Sequence, residues 1–200
     1  PAIRDKQITN TLPLGNSDEL LPPKAQIVKG ETYTVQDLVE RMIRYSDDAA
    51  ADLLLNDIEK SSLNEVFSDL GISFIEGNES ADAISLKLYS LFFRVLHNST
   101  YLNNEFSEKA LALLAESNGG LGLGASIPKE VTLVHKYEGR KYLDGKDIRY
   151  EIYDCGIVYY PGNPYLLCVS AKGPSLDGVE KFFKGISKEV YMEMEFKYKK

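Results

Sequence analysis

The hydrophobic period of this chain changes near residue 131, and that change restricts the folds open to it more than any other feature. Apolar residues recur at helical spacing in the stretches before it, and strand-like runs of β-branched and aromatic residues follow it. Helical spacing then returns with Val179, Phe182, Phe183, Ile186, Val190 and Tyr191. Helices, then strands, then one helix is the order of an α+β protein in which a helical subdomain packs beside an antiparallel sheet. Two hundred residues leave room for a single domain over 1–200, read here as a mainly helical part over 1–128 followed by strands and a C-terminal helix over 129–200.

Residues 1–31 are rich in turn formers, among them Pro13, Gly15, Pro22, Pro23 and Gly30, and are expected as loop with at most one short element. At Thr34 a helix can begin: the hydroxyl is a cap, Asp37 follows three residues on, and Val35, Leu38, Val39, Met42 and Ile43 share a face. It should stop near Tyr45. Ser46, Asp47 and Asp48 are poor helix-interior residues and good caps, and Ala49, Ala50, Ala51, Leu53, Leu54 and Leu55 then start a second, more buried helix. The three polar residues therefore fall at an interhelical junction.

Gly71 is expected as a C-cap, Ser85 as the cap of a helix burying Leu88, Leu91 and Phe92, and Asn104 or Ser107 as the cap of another over 106–114. Gly119, Gly120, Gly122 and Gly124 end the helical part. Strands are expected over 131–137, 151–160 and 165–171, the last two forming an antiparallel hairpin around Pro161-Gly162-Asn163-Pro164, while the polar stretch 139–147 reads as a solvent loop. Cys155 and Cys168 then lie almost opposite each other. Buried free thiols are the expected state, with a cross-strand disulfide as the alternative.

Composition excludes several functions. The 23 basic and 30 acidic side chains leave a net charge of −7 with no dominant basic patch, so no nucleic-acid partner is expected. No apolar run approaches the ~20 residues of a membrane span, and the start lacks the pattern of a signal peptide. The chain begins with Pro1, read as a processed or truncated N-terminus. Two cysteines and two histidines do not supply a metal cluster, so neither metal nor cofactor is expected.

Two stretches carry chemistry: Tyr45-Ser46-Asp47-Asp48 at the junction, and His135-Lys136-Tyr137-Glu138-Gly139 at a strand end. Taken alone, Ser46 reads as a helix cap, Asp47 and Asp48 as first-turn carboxylates favoured by the helix dipole, and Lys136 as a solvent-facing strand residue. His97 and His135 read as packed or surface residues, His135 alternating away from the face Lys136 uses. Brought close, however, a hydroxyl and an ammonium can relay a proton in acyl transfer and dock a substrate carboxylate.

Residues 30–38 through Met42-Ile43-Arg44-Tyr45-Ser46-Asp47-Asp48-Ala49-Ala50 resemble the Ser-Asp-Asn region of class A β-lactamases and related penicillin-recognising serine hydrolases. The His135–Gly139 stretch resembles their Lys-Thr-Gly strand, and residues 154–161 with 164–167 resemble the hairpin after it. The order is kept over nearly the whole chain. The resemblance implies a β-lactamase/transpeptidase-like fold, with Ser46 and Lys136 as catalytic residues and Asp48, Lys136, Tyr137 and Glu138 touching substrate. That substrate would be a β-lactam or a peptidoglycan-type peptide, met outside the cytoplasmic membrane.

The family nucleophile lies in an upstream Ser-x-x-Lys, and none occurs before Ser46. The resemblance thus implies a C-terminal portion that is inactive by itself. Its strand 165–171 would be left as an open edge for the N-terminal fragment or a second chain. Three departures stand out. Asp48 replaces the motif's amide with an acceptor, Glu138 stands where glycine is usual unless a bulge brings Gly139 into register, and no Glu-x-x-Leu-Asn loop lies between Leu70 and Leu86. The last favours a penicillin-binding protein over an antibiotic-destroying one; Glu76 and Glu79 read as solvated loop residues. The alternative is a degenerate, non-catalytic binding or structural module on the same scaffold.

Overall fold

A computed structural model describes residues 7–9, 27–72, 86–117 and 121–198. The expected Ser85 cap and the loop holding Glu76 and Glu79 lie outside the described residues. The contacts divide the chain into two compact units, the first reaching Leu88 and the second running from Tyr89.

In the first unit a short antiparallel ladder of β1 (Gln7–Thr9) and β2 (Thr32–Thr34) leads into α1 (Val35–Tyr45), α2 (Asp48–Asp57) and α3 (Lys60–Asp69). The Thr34 hydroxyl accepts from the Asp37 amide at 3.0 Å, the cap that the sequence predicts. Ile27, Leu38, Ala50, Leu53 and Leu54 form the core of this unit, which explains why α1 and α2 carry one apolar face each. Gly71 ends α3 with a φ of +67°.

The second unit contains all but the first three residues of α4 (Leu86–His97), then α5 (Asn104–Ala115), a 3-10 turn (Gly122–Ser126), the strands β3 (Leu133–Asp144), β4 (Asp147–Val158) and β5 (Tyr165–Gly173), and α6 (Leu176–Tyr198). Asn103, not Asn104 or Ser107, caps α5: its side chain accepts from the Phe106 amide at 2.9 Å. The sheet order is β3-β4-β5, all antiparallel, so β5 is an edge among the described residues, as expected. Leu123, Tyr137, Ile152, Val169, Val179 and Phe183 form the core between one sheet face and α6, the role anticipated for the closing helix.

One expectation fails outright. Residues 139–147 are not a solvent loop: β3 runs on to Asp144 and pairs with β4 through a tight turn at Gly145, whose φ is +65°. Charged residues there pair across the strands instead of packing, so the stretch lacks the apolar alternation that marks a half-buried strand. The cysteines also depart from expectation. Cys155 and Cys168 are directly paired positions with Cα atoms 4.0 Å apart, and they are joined as a disulfide.

Candidate active site

The interhelical corner is built by caps. Ser46 ends α1 in the left-handed region (φ 52°, ψ 44°), a conformation that favours glycine, with its amide turned back to the Arg41 carbonyl. Asp47 begins α2: one carboxylate oxygen accepts from the Ala50 amide at 3.1 Å. The role is structural, as expected, but Asp47 is the cap itself and not a first-turn carboxylate, and Ser46, expected as that cap, instead closes α1. The second Asp47 oxygen is buried with no hydrogen-bond partner among the described residues. Asp48 follows as the first residue of α2, exposed, so its carboxylate is free to meet a ligand.

The strand end is built by register. Pairing of β3 with β4 is continuous, Glu138 opposite Tyr153 and Gly139 opposite Ile152, so no bulge carries Gly139 into the place of Glu138. Alternation then separates neighbours. Tyr137 belongs to the core under α6, and its hydroxyl donates to Glu180 at 2.5 Å. Burial first, then that hydrogen bond and the charge of Glu180, hold the phenol far above its ordinary pKa, so it remains a donor. Its side chain is committed to the core, which leaves only its backbone to meet a ligand.

Lys136 and Glu138 project on the opposite face. The Lys136 ammonium lies 3.0 Å from a Glu138 carboxylate oxygen and is only 15% exposed, while the Glu138 side chain is 47% exposed. The Tyr89 hydroxyl of α4 donates to the Lys136 carbonyl at 3.3 Å. Burial, with the charges of Glu138 and Asp154 adding, pushes the Tyr89 phenol well up, so it too stays protonated.

Further along the same face, Arg140, Glu151 and Lys172 form one row across the three strands. The fully buried Glu151 carboxylate accepts from Arg140 and Lys172, each at 2.8 Å, and from Tyr153. Burial pulls its pKa upward, but the hydrogen bonds from Lys172, Tyr153 and Arg140 outweigh that pull and hold it below the usual carboxylate range.

The largest feature not legible in the sequence is on the core face. His135 Nδ1 lies 2.9 Å from Asp154 Oδ1, and Asp154 Oδ2 accepts from the Leu123 amide at 2.7 Å. Both side chains are buried. Gly122 has a φ of +53°, and a Cβ there would stand 2.3 Å from Asp154 Oδ2, so the turn can wrap the carboxylate only as glycine. Nothing in the spacing of residues 122, 135 and 154 announces this; the signal was an acid among the apolar residues of a strand.

One Ser-x-x-Lys does occur, at Ser126-Ile127-Pro128-Lys129. It is not on a helix: Ile127 is extended, and the Ser126 hydroxyl donates to the Lys184 carbonyl at 2.9 Å. The spacing therefore does not bring the amine over the hydroxyl. Among the described residues, no three His, Cys, Asp or Glu side chains are grouped to hold a metal, and no helix is long and apolar enough to cross a membrane.

The α+β fold is shared with PBP-A and several β-lactamases. PBP-A superposes with a TM-score of 0.70 at 16% identity, covering 96% of this chain and 72% of its own. A β-lactamase from Chitinophaga pinensis gives 0.70 at 18% identity over 95% of this chain and 76% of its own, and one from Sphaerobacter thermophilus gives 0.68 at 18% over 96% and 73%. At these identities the likeness establishes the fold. No curated protein matches the chain by sequence. The model of the β-lactamase enzyme family, however, matches residues 4–194, and the chain belongs to that family.

Proposed function

We propose that this chain is the motif-bearing C-terminal part of a penicillin-recognising serine hydrolase, which is acylated at a serine upstream of Pro1. The observation that carries this reading is the family match over residues 4–194, which includes both the Ser46 corner and the Lys136 strand. Ser46 relays the proton from the attacking serine to the leaving nitrogen, Lys136 binds the substrate carboxylate, and Asp48 contacts the substrate. Tyr137 and Glu138 contribute the backbone of the edge strand β3. The substrate is a β-lactam or a D-Ala-D-Ala peptide, met outside the cytoplasmic membrane; a PBP-A mutant has been captured as an acyl-enzyme with penicillin G. The edge of β5 takes the N-terminal fragment of the same protein or a second chain.

Labelling with a fluorescent penicillin, alongside nitrocefin hydrolysis, tests this. The 200-residue chain is expected to stay unlabelled. A longer chain carrying an upstream Ser-x-x-Lys should be labelled, and there Ser46→Ala or Lys136→Ala should slow labelling by roughly 10²-fold, the usual size of a lost proton-transfer group. Covalent labelling of the 200-residue chain itself would overturn the assignment of the nucleophile.

The Lys136–Glu138 ion pair supports a second reading. Glu138 occupies the ammonium that a substrate carboxylate needs, as a degenerate scaffold retained for binding or structure would. Absence of labelling in the longer chain, with the fold intact, favours it.

A further inference from the structure

A cavity of about 560 Å³ lies within the second unit, against the start of β3 and the 3-10 turn. Ala125, Ile127, Pro128, Val131 and Leu133 make its wall apolar, and its one cationic lining residue, Lys129, is exposed. Two further polar residues line it, the exposed Thr132 and His135, which is 1% exposed.

The two ring nitrogens of His135 are not equivalent. Nδ1 faces the Asp154 carboxylate at 2.9 Å and therefore carries the proton. Asp154 in turn is anchored by the Leu123 amide, so the ring is held in one orientation. In the neutral ring Nε2 then carries the lone pair, and it is buried with no hydrogen-bond partner among the described residues. An acceptor shut away from water in this manner gains from any donor that reaches it.

The route to that atom is Gly124, which also lines the cavity. A Cβ built on Gly124 would stand 3.8 Å from Nε2 and 3.7 Å from Cε1, with no neighbour closer than Leu133 Cδ2 at 3.4 Å. The space that glycine leaves empty thus faces the Cε1–Nε2 edge of the ring.

We propose that this cavity binds a small, uncharged, mostly apolar molecule that donates one hydrogen bond, from a hydroxyl or a ring N–H, to His135 Nε2. The volume suits a ligand of one or two rings. An anion is disfavoured because the lone pair is backed by the Asp154 charge, and a bare hydrocarbon would leave Nε2 unsatisfied. The site uses neither Ser46 nor Lys136, whose side chain leaves β3 on the other face, so it stands apart from the acyl-transfer reading.

The chain has only two histidines, which makes ring NMR with ¹⁵N-histidine decisive. Phenol and indole are the donor probes, and toluene is the donor-free control. Phenol should shift the His135 Nε2 resonance saturably while His97, at the exposed end of α4, stays in place. Toluene should bind about tenfold more weakly, the cost of one hydrogen bond. Gly124→Ala, whose methyl meets only ordinary contacts, should keep the thermal midpoint and weaken phenol binding by about tenfold. Absence of a saturable shift, equal affinity for toluene and phenol, or an equal response at His97 each overturns the proposal. The wild-type comparison decides even if the variant does not fold.

Discussion

The interhelical corner and the strand end are held together in opposite ways. At the corner, Asp47 caps an amide three residues ahead. At the strand end, His135 reaches Asp154 19 residues on, Tyr137 reaches Glu180 43 residues on, and the Lys136 carbonyl accepts from Tyr89 47 residues back. The first region is a property of a short peptide, and the second exists only after the sheet and α6 have assembled. Damage to the strand end should therefore be global, whereas damage to the corner should be local and small.

The largest expected effect is at Asp154. Asp154→Ala strips the partner from His135 Nδ1 and from the Leu123 amide at once, both buried. A cost of roughly 2–5 kcal/mol is expected in urea unfolding, because two buried donors, each costing about 1–3 kcal/mol when unsatisfied, lose their acceptor. A loss below about 1 kcal/mol, the size of a single exposed hydrogen bond, would mean that the strand end is as locally determined as the corner.

Next comes Glu151, where the same long-range logic acquires a pH dependence. Its folded pKa is held below the unfolded value of about 4.3, so its contribution is present above that value and is lost as pH falls through the folded pKa. Glu151→Gln should cost about 2 kcal/mol at neutral pH, and the gap to wild type should close on acidification below about pH 4. A gap that persists to low pH would remove the carboxylate's charge from the explanation.

These two regions also mark what could be read in advance. Thr34 and Asp37 and the stop at Tyr45 were legible because caps are chemistry at fixed short offsets, while the cap of α2 falls at Asp47, one residue past the expected Ser46. The closing amphipathic helix was legible from its period. The face on which Tyr137 lies, the extension of β3 through Arg140 and Tyr142, and the pairing of Cys155 with Cys168 were not, because each depends on a strand register set by partners far along the chain. The hairpin signal Asp144-Gly145 was present, but the polar residues around it have their own cross-strand partners and gave no apolar alternation to accompany it.

At the corner, two substitutions at Asp47 separate capping from burial. Asp47→Ala should cost about 1 kcal/mol by chemical denaturation, a typical lost cap. Asp47→Ser keeps an acceptor for the Ala50 amide and removes the buried oxygen that has no partner among the described residues, so it should lie within about 0.5 kcal/mol of wild type. Smaller still, Ser46→Gly should raise stability by roughly 0.5–1 kcal/mol, because glycine relieves the left-handed backbone at φ 52°. If Ser46 relays a proton, the same variant in a chain with the upstream serine loses penicillin labelling while gaining stability. That opposition of sign is what an outlier kept for chemistry predicts.

The smallest effect on stability bears most directly on what the strand end is for. Glu138 is half exposed, so its ion pair with Lys136 is worth less than about 0.5 kcal/mol to the fold, and Glu138→Gln should leave the unfolding midpoint nearly unchanged. Its effect on function has no such limit. A carboxylate 3.0 Å from the ammonium competes with any incoming substrate carboxylate for the same donor and adds a like charge to the approach. In the longer chain, Glu138→Gln should therefore speed penicillin labelling several-fold, with the gain shrinking at high salt as the repulsion is screened. A rate that stays at the wild-type value, in a variant that still folds, would show that Lys136 receives no substrate carboxylate, and the strand end would then match the corner in being structural alone.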